Sequence, residues 1–475
     1  MADPCLSPDA PSAIAPRRVL HWFRRDLRLA DNPALEAIGQ RGDSLLAVYI
    51  HAPEEEAPWQ PGAASRWWLH HSLAALRDRL ARQGICLLFF HGETGPILSR
   101  LCAQLGIDTL SWNRRYEPRL WQRDQLLAEA LSAQGLALEA WDDGVLCPPG
   151  QLLNQQGRPY RVYGPFMRRL RLLTDSAPLP LGPPLPPRLR PLPLDQALAP
   201  GCSLEQLGLL DAQPWHEKLH DHWQPGEGAA WARLEGFLQA PIDHYAEDRD
   251  RPDRAGTSRL SPHLHFGEIS PQRVLGNVQP LLAGEGGGRP GQSAERLYNQ
   301  LGWREFARHL LWHFPDSDLQ SLDGRFDALW QEDAEWLRRW QDGRTGIALV
   351  DAGMAELWQS GWMHNRVRMV AGSLLTKNLG IPWQAGARWF WDTLVDADLA
   401  NNSLGWQWIA GCGADAAPYF RVFNPQLQAK KFDPQGRYQA RWLGSDPLPE
   451  PIIDLASSRT QALARYQGMR QSNPA

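Results

Sequence analysis

Lysine is almost missing from this chain. Of the 49 basic residues only four, Lys218, Lys377, Lys430 and Lys431, are lysines, and arginine supplies the rest. Arginine suits bidentate phosphate contacts, although genome composition alone also produces such a bias. A net charge of −4 over 475 residues leaves no global basic field, so any nucleic-acid contact needs a local positive patch. The cysteines, Cys5, Cys86, Cys102, Cys147, Cys202 and Cys412, form no C-x-x-C pair, which excludes the usual zinc and iron–sulfur frameworks and fits reduced cytoplasmic thiols. No apolar run approaches the ~18 residues of a membrane helix. Met1-Ala-Asp-Pro-Cys-Leu-Ser7 lacks the charged and apolar regions of a secretory leader, so the expected location is the cytoplasm. No G-x-G-x-x-G follows the first strand pattern, which argues against ordinary dinucleotide binding there. No internal repeat is visible.

What is present divides into two domains, as the length suggests. Hydrophobic residues at 43% and charged residues at 21% are ordinary for a globular protein. Over residues 17–145, short apolar runs at Val19–Phe23, Leu45–Ile50, Ile85–Phe90, Thr109–Trp112 and Leu136–Trp141 alternate with helical patterns such as Ser65–Arg82 and Pro118–Gln134. That order predicts an α/β domain with a parallel sheet covered on both faces. Residues 146–224 are an interdomain linker; its Pro/Leu-rich part, Ala177–Pro200, is expected to be extended because proline removes backbone donors. Residues 225–475 show helix-length amphipathic blocks, as at Ala294–Trp312 and Ala355–Leu379, and predict an all-α second domain.

The richest chemistry lies in Asp396-Ala-Asp-Leu-Ala-Asn-Asn-Ser-Leu-Gly-Trp-Gln-Trp408, followed by Pro418-Tyr-Phe-Arg-Val-Phe-Asn-Pro425. Acids and carboxamides can hydrogen-bond a polar heterocycle, and tryptophans stack on flat rings and carry electrons. A buried site for an aromatic cofactor beside an aromatic substrate is the natural reading. Gly361-Trp-Met-His-Asn-Arg-Val-Arg-Met369 adds a helix face that combines Trp362, Asn365, Arg366 and Met369. Such a mixture suits neither core nor solvent but does suit a binding face. Gln300 and Trp303, three apart with Arg304 beside them, repeat the idea, against the plainer reading of an amphipathic helix with a snorkelling arginine. Thr257-Ser-Arg-Leu-Ser261 sets hydroxyls ahead of a proline-opened helix, which is either a phosphate cradle or ordinary N-capping.

Together these motifs, from His21-Trp-Phe-Arg-Arg-Asp-Leu-Arg-Leu29 to Asn424-Pro425, resemble the class I photolyase/cryptochrome family, and most closely its bacterial cyclobutane pyrimidine dimer photolyases. The resemblance implies a Rossmann-like antenna domain joined by a long linker to a helical FAD-binding domain. It implies that Tyr245, Thr257, Ser258, Leu260 and Ser261 hold the FAD phosphates and ribitol. Trp362, Asn365, Arg368, Asp396, Asp398 and Asn402 would line the adenine and isoalloxazine, with Arg368 and Asp396 as an ion pair near the flavin ring and Asn402 facing flavin N5. Trp303 and Trp408 would sandwich a flipped pyrimidine dimer in damaged DNA, with Asn365 and Met369 completing the pocket. Arg249, Arg304, Arg366 and Arg421 match the family's DNA-facing arginines. Trp406, Trp383 and Trp330 match its electron-transfer chain. Glu117, in Trp112-Asn-Arg-Arg-Tyr-Glu-Pro118, matches an acid that contacts an antenna chromophore, methenyltetrahydrofolate; a deazaflavin antenna or none is the alternative, as is a plain charged surface loop. A light-driven monomeric repair enzyme is expected, with a cryptochrome-type photoreceptor as the alternative; no long tail follows the helical domain.

One position departs from the family pattern. Cyclobutane-dimer photolyases carry Glu three residues before the first substrate tryptophan, and this chain has Gln300. Gln can donate N–H but cannot supply a proton. The (6-4) and cryptochrome branches resemble the chain at that position, but the (6-4) branch has a histidine pair where this chain reads His364-Asn365, and it lacks Trp-Gln-Trp. His216-Glu-Lys-Leu-His220 fits the H-E-x-x-H zinc motif, but Pro214 and Pro225-Gly226 leave room only for a short helix remote from the other motifs. No metal is expected. The Arg24-Arg-Asp-Leu-Arg28 run reads as a salt-bridged loop.

Overall fold

A computed structural model of the protein describes residues 16–176, 179–194, 201–283, 288–416, 418–444 and 447–472. The first domain holds strands β1 (Arg18–Phe23), β2 (Ser44–His51), β3 (Leu87–His91), β4 (Thr109–Asn113) and β5 (Ala137–Trp141), with helices α1 (Pro33–Arg41), α2 (Ala63–Ala81), α3 (Thr94–Leu105) and α4 (Pro118–Ser132) between them. All five strands are parallel in the order β3-β2-β1-β4-β5. Alternate residues feed opposite faces, as the two-residue period of a strand demands. Val19, Phe23, Leu45 and Ala47 join one core with α1 and α2, whereas Leu20, Trp22, Leu46 and Val48 join another with α3.

The linker is not all extended. Its Tyr163–Thr174 forms helix α5, which buries Phe166, Met167 and Leu170 against the second domain. Leucines in an amphipathic spacing win there because the proline clusters begin only afterwards. The described part of the Pro/Leu-rich segment, residues 179–194, contains no helix and adds Arg190–Pro191 as β6 beside β2; Ala177, Pro178 and residues 195–200 lie outside the described residues.

The second domain is helical: α6 (Glu227–Gln239), α7 (Tyr245–Asp248), α8 (Ser261–His265), α9 (Pro271–Ala283), α10 (Arg289–His313), α11 (Ala334–Gln341), α12 (Ala348–Ser360), α13 (Asn365–Ser373), α14 (Trp383–Thr393), α15 (Leu399–Ala410), α16 (Pro425–Phe432), α17 (Arg437–Leu443) and α18 (Leu455–Ser472). The single block expected over Ala355–Leu379 is broken. Gly361 adopts φ +65°, a left-handed cap that ends α12, and α13 restarts at Asn365 with His364 as N-cap. Trp362 therefore lies in the break and does not share a helix face with Asn365, Arg366 and Met369.

The two domains meet along a close seam. Ala63 N–H donates to Asp392 at 2.9 Å and Trp391 Nε1 donates to the Gln60 carbonyl at 2.6 Å. A Cβ on Gly62 would lie 2.2 Å from the Trp391 carbonyl oxygen, so only glycine fits. No helix among the described residues is long and apolar enough to cross a membrane.

Candidate functional site

Two helices with well-formed N-termini set one wall of the site. Asp398 caps α15, accepting from the Asn401 backbone N–H at 3.0 Å. This fixes the helical phase that turns Asn402, Gly405, Trp406 and Ile409 toward α13. On α13, Asn365, Arg366, Arg368, Met369 and Gly372 face back. Between them opens a cavity of about 470 Å³, to which α10 contributes Gln300, Trp303 and Arg304. Phe390, Leu394, Trp406 and Ile409 supply apolar lining, and Arg368, Asp396, Asn401 and Asn402 supply polar groups. Trp408 also lines it, and Trp303 and Trp408 are both partly exposed.

Arg368 and Asp396 pair as expected: Nη2 lies 3.1 and 3.0 Å from the two carboxylate oxygens, and Nε donates to the Met363 carbonyl at 2.7 Å. Ser261 Oγ donates to the same carboxylate at 2.7 Å, tying the hydroxyl motif to the cavity wall. The Asn402 amide nitrogen donates to the Ala387 carbonyl at 3.0 Å, which leaves its side-chain oxygen as the free acceptor. Burial alone would push the Asp398 carboxyl up, but Arg308 at 3.2 Å and His265 at 3.5 Å hold it well below the usual carboxylate range. Asp398 is thus an anion engaged in capping and ion pairing.

A second cavity, of about 720 Å³, is lined by Thr257, Ser258, Trp362 and His364, with Arg233, Arg254, Arg259 and Arg441 around it. No carboxylate lies within ion-pair distance of Arg233 or Arg259 among the described residues. Both guanidiniums instead lie over the Trp223 ring, at 5.6 and 5.1 Å, and Arg259 also lies 4.6 Å from the Trp362 ring. Arg259 holds φ +52°, an uncommon conformation for a long side chain. His364 is buried, its pKa lowered by burial to about 4, and its Nε2 has no protein partner.

The two cavities fit a dinucleotide cofactor. One pairs an aromatic and aliphatic lining with a polar edge, as a flat heterocycle needs. The other offers hydroxyls, the Arg233 and Arg259 guanidiniums without a close ion-pair partner and an orphan imidazole nitrogen, as phosphates need, with the buried Glu356 carboxylate also on its wall. Tyr245 and Leu260 are buried beside the second cavity in the core of α5, α6 and α10 and line neither.

Other expected residues scatter more widely. Trp406, Trp383 and Trp330 share one hydrophobic cluster: Trp406 and Trp383 are 4% and 0% exposed, and Trp330 lies at its partly buried edge. Gly386 lets the Trp406 indole lie against α14, since a Cβ there would fall 2.1 Å from it. Trp406 also meets Trp340 and Phe390 edge-on, at 6.1 and 5.0 Å.

Arg366 and Arg249 are partly exposed beside the first cavity, Arg366 paired to Asp250 at 2.8 Å, and Arg421 is exposed. Arg304 departs from the expectation. It is buried, paired with Glu305 at 2.9 Å and donating to the Leu264 carbonyl, so it is not presented to DNA. Burial lowers its pKa to about 10, with Arg308 adding to the effect.

Glu117 is no surface-loop acid: Arg115 grips both its oxygens, at 2.9 and 2.8 Å. The adjoining cavity measures only about 40 Å³, below the ~300 Å³ that small-molecule pockets begin at. His216–His220 falls in a 3₁₀ segment, Pro214–Asp221, where residues four apart do not align. Among the described residues no group of three His, Cys, Asp or Glu could hold a metal.

Sequence reasoning missed Tyr163, whose ring stacks on Trp303 at 3.9 Å and 3° and whose hydroxyl donates to the Asn299 carbonyl. Its place inside the linker hid it. Asp250 was missed as well, although the alternating acids and arginines of Glu247-Asp-Arg-Asp-Arg251 announce local ion pairing.

Comparisons with known proteins agree with this geometry. A family model described as DNA photolyase matches residues 19–186, and one for the FAD binding domain of DNA photolyase matches residues 297–446. A deoxyribodipyrimidine photo-lyase of Agrobacterium fabrum is 39% identical over 96% of this chain and 98% of its own length. Arabidopsis thaliana cryptochrome-1 is 37% identical over 89% of this chain, which spans 62% of that longer protein. The crystal structure of a bacterial class III photolyase from Agrobacterium tumefaciens superposes with a TM-score of 0.89 at 38% identity, covering 98% of this chain and 100% of that one. The likeness holds at the level of the family; the narrower class I assignment finds no support in that neighbour.

Proposed function

The chain belongs to the DNA photolyase and cryptochrome family, and from that membership we propose that it repairs cyclobutane pyrimidine dimers in DNA by light-driven electron transfer, as an enzyme of the class III rather than the class I branch. Its helical domain is the family's FAD-binding domain. The observation that carries the reading is the single cavity in which the Arg368–Asp396 pair, the aromatic and aliphatic lining and the two mouth tryptophans Trp303 and Trp408 converge.

Bound reduced FAD would supply the photoexcited electron. Arg368, Asp396 and Asn402 would hold the flavin edge, with Asp398 setting the phase of α15, and Thr257, Ser258, Arg233 and Arg259 would hold the phosphate end. Ser261 would act through Asp396, and Tyr245 and Leu260 through packing. Trp303, braced by Tyr163, offers its other ring face to one side of a flipped pyrimidine dimer, and Trp408 offers the opposite wall. Asn365 and Met369, joined by an N–H···S contact at 3.9 Å, complete the pocket. Gln300 lies one helical turn before Trp303, and its N–H would stabilise charge gained by the dimer carbonyl. Arg249, Arg366 and Arg421 would contact flanking phosphates.

Trp406, Trp383 and Trp330 would refill oxidised flavin with electrons from the surface. Trp406→Phe should then block photoreduction by external donors while pre-reduced enzyme still repairs. Photoreduction at the wild-type rate would remove the chain from this role. A cavity of about 460 Å³ between His51, His91, Gln60 and Arg66 is a second candidate place for an antenna chromophore, in addition to Glu117.

The deciding assay is dimer splitting under blue light with reduced protein. Flavin binding without splitting would favour the cryptochrome-type photoreceptor, the reading that Gln300 keeps open. A (6-4) activity is disfavoured because His364 lines the second cavity, away from the mouth tryptophans.

A further inference from the structure

Lys377 alone of the four lysines is fully buried, at 0% exposed. It sits in a π-helical turn, Leu374–Asn378, that continues α13. Turns of this kind give up regular hydrogen bonding and recur at functional positions. Its ammonium donates to the Arg421 carbonyl oxygen at 3.1 Å. Near it are the Tyr419 ring, 5.3 Å away, and the Cys412 thiol, the Arg421 guanidinium acts on it only through its positive charge, and Arg465 donates to the lysine's own carbonyl at 3.0 Å. None of these is an anion, and a buried ammonium without one is costly. An apolar side chain would fill the same space at lower cost.

The carbonyl it holds belongs to a strap, residues 418–424, that runs from the site segment into α16. One turn before Lys377, Ser373 Oγ accepts from the Phe423 backbone N–H at 3.1 Å. Ser373 and Lys377 thus grip the strap in two places. The opposite end of the same helix carries Asn365, Arg366, Arg368 and Met369 into the first cavity. Tyr419 turns inward, 2% exposed and stacked on Tyr466 at 4.8 Å. Phe420, 60% exposed, and Arg421 turn outward.

We propose that Lys377 is a positioning residue for lesion binding: its ammonium fixes the strap so that Phe420 and Arg421 are presented to the DNA at a set distance from the cavity. This rests on the DNA-repair reading above. Burial, with the charge of Arg421 adding, lowers the Lys377 pKa to about 7. The grip is full below that pH, where the amine is charged, and weakens as the pH rises through it.

The test uses FAD-loaded full-length protein and a duplex carrying a cyclobutane thymine dimer, in the dark, from pH 6 to 9. Wild-type affinity should fall as pH rises through about 7. Lys377→Met should bind about tenfold more weakly at pH 6 and show no such step. Lys377→Arg, charged throughout, should restore binding without the step. Lys377→Met and Arg421→Ala should be non-additive, because both act through one strap. Hydrogen exchange over residues 418–424 gives a readout independent of DNA: it should accelerate in Lys377→Met relative to wild type at pH 6. Unchanged exchange, or equal affinity of Lys377→Met and wild type at pH 6, overturns the assignment. Faster exchange in a protein whose wild type shows no preference for the lesion overturns the repair reading instead, and with it the purpose given to the strap.

Discussion

Arg24 and Arg28, just after β1, each bury a guanidinium against an aspartate 100 and 115 residues away in sequence: Arg24 on Asp124 at 2.5 Å, and Arg28 on Asp143 at 2.6 Å. Arg28 further donates to the carbonyls of Asp31 and Gly267. In the helical domain, Arg233 and Arg259 lean on aromatic rings beside a cavity, with no carboxylate in ion-pair range among the described residues. The residue type is the same and the fate is opposite. At Arg24 and Arg28 the charge is consumed by the fold, whereas Arg233 and Arg259 keep theirs without a carboxylate partner at ion-pair distance. A run of arginines is therefore uninformative until its partners are counted, which is why Arg24-Arg-Asp-Leu-Arg28 looks like a nucleic-acid patch and is structural.

The largest effect should follow from breaking the consumed set. Arg28→Ala would leave Asp143 buried and unpaired and should lower folding stability by about 3–5 kcal/mol, read as a lower midpoint in denaturant. A near-wild-type midpoint would mean that the sheet-domain arginines are also in reserve. Next comes the reserved set. Arg233→Gln with Arg259→Asn, the latter chosen because Asn tolerates left-handed backbone, should weaken FAD binding by roughly tenfold or more and move apo-protein stability by no more than about 0.5 kcal/mol. The reverse pattern would erase the contrast between the domains.

A smaller change is expected at Arg366, which is intermediate: paired to Asp250, yet partly exposed. Arg366→Ala should reduce affinity for damaged DNA similarly across sequences and lower the salt slope by about one, measured by titration at several salt concentrations. The smallest effect should be at Gln300. Gln300→Ala should cut the quantum yield of dimer splitting by about threefold, the size of one ordinary hydrogen bond, with FAD retained. Gln300→Glu should keep or raise it, since desolvation under bound substrate favours a protonated acid. An unchanged yield in Gln300→Ala would place the side chain outside the reacting pair.

The sheet was legible because burial on both faces leaves β1 to β4 as nearly plain apolar runs, and β5, a half-exposed edge strand, still shows apolar residues around Glu139; all five were found within a few residues of their ends. The Arg368–Asp396 pair was also foreseen, and it is present at 3.0 Å. The break at Gly361 was not, because one residue in left-handed conformation interrupts a helix without disturbing the amphipathic pattern around it. Helix α5 was lost because it precedes the proline clusters within a segment read as one linker. The cavity arginines were invisible for a different reason: nothing in a sequence separates a guanidinium with a partner from one without. Arg304 shows the converse, since its neighbour Glu305 was in plain view but its burial was not.

Gly62 gives the seam between the domains a meaning for anyone who would take the protein apart. With the Trp391 carbonyl oxygen only 2.2 Å from where its Cβ would stand, the joint has no clearance. A chimaera that grafts the sheet domain of another relative must bring glycine at this position and a backbone N–H placed to reach Asp392 of the helical domain. Otherwise a single methyl group acts as a wedge and the halves cannot seat. The modules are separate in their architecture but were machined as one fitting.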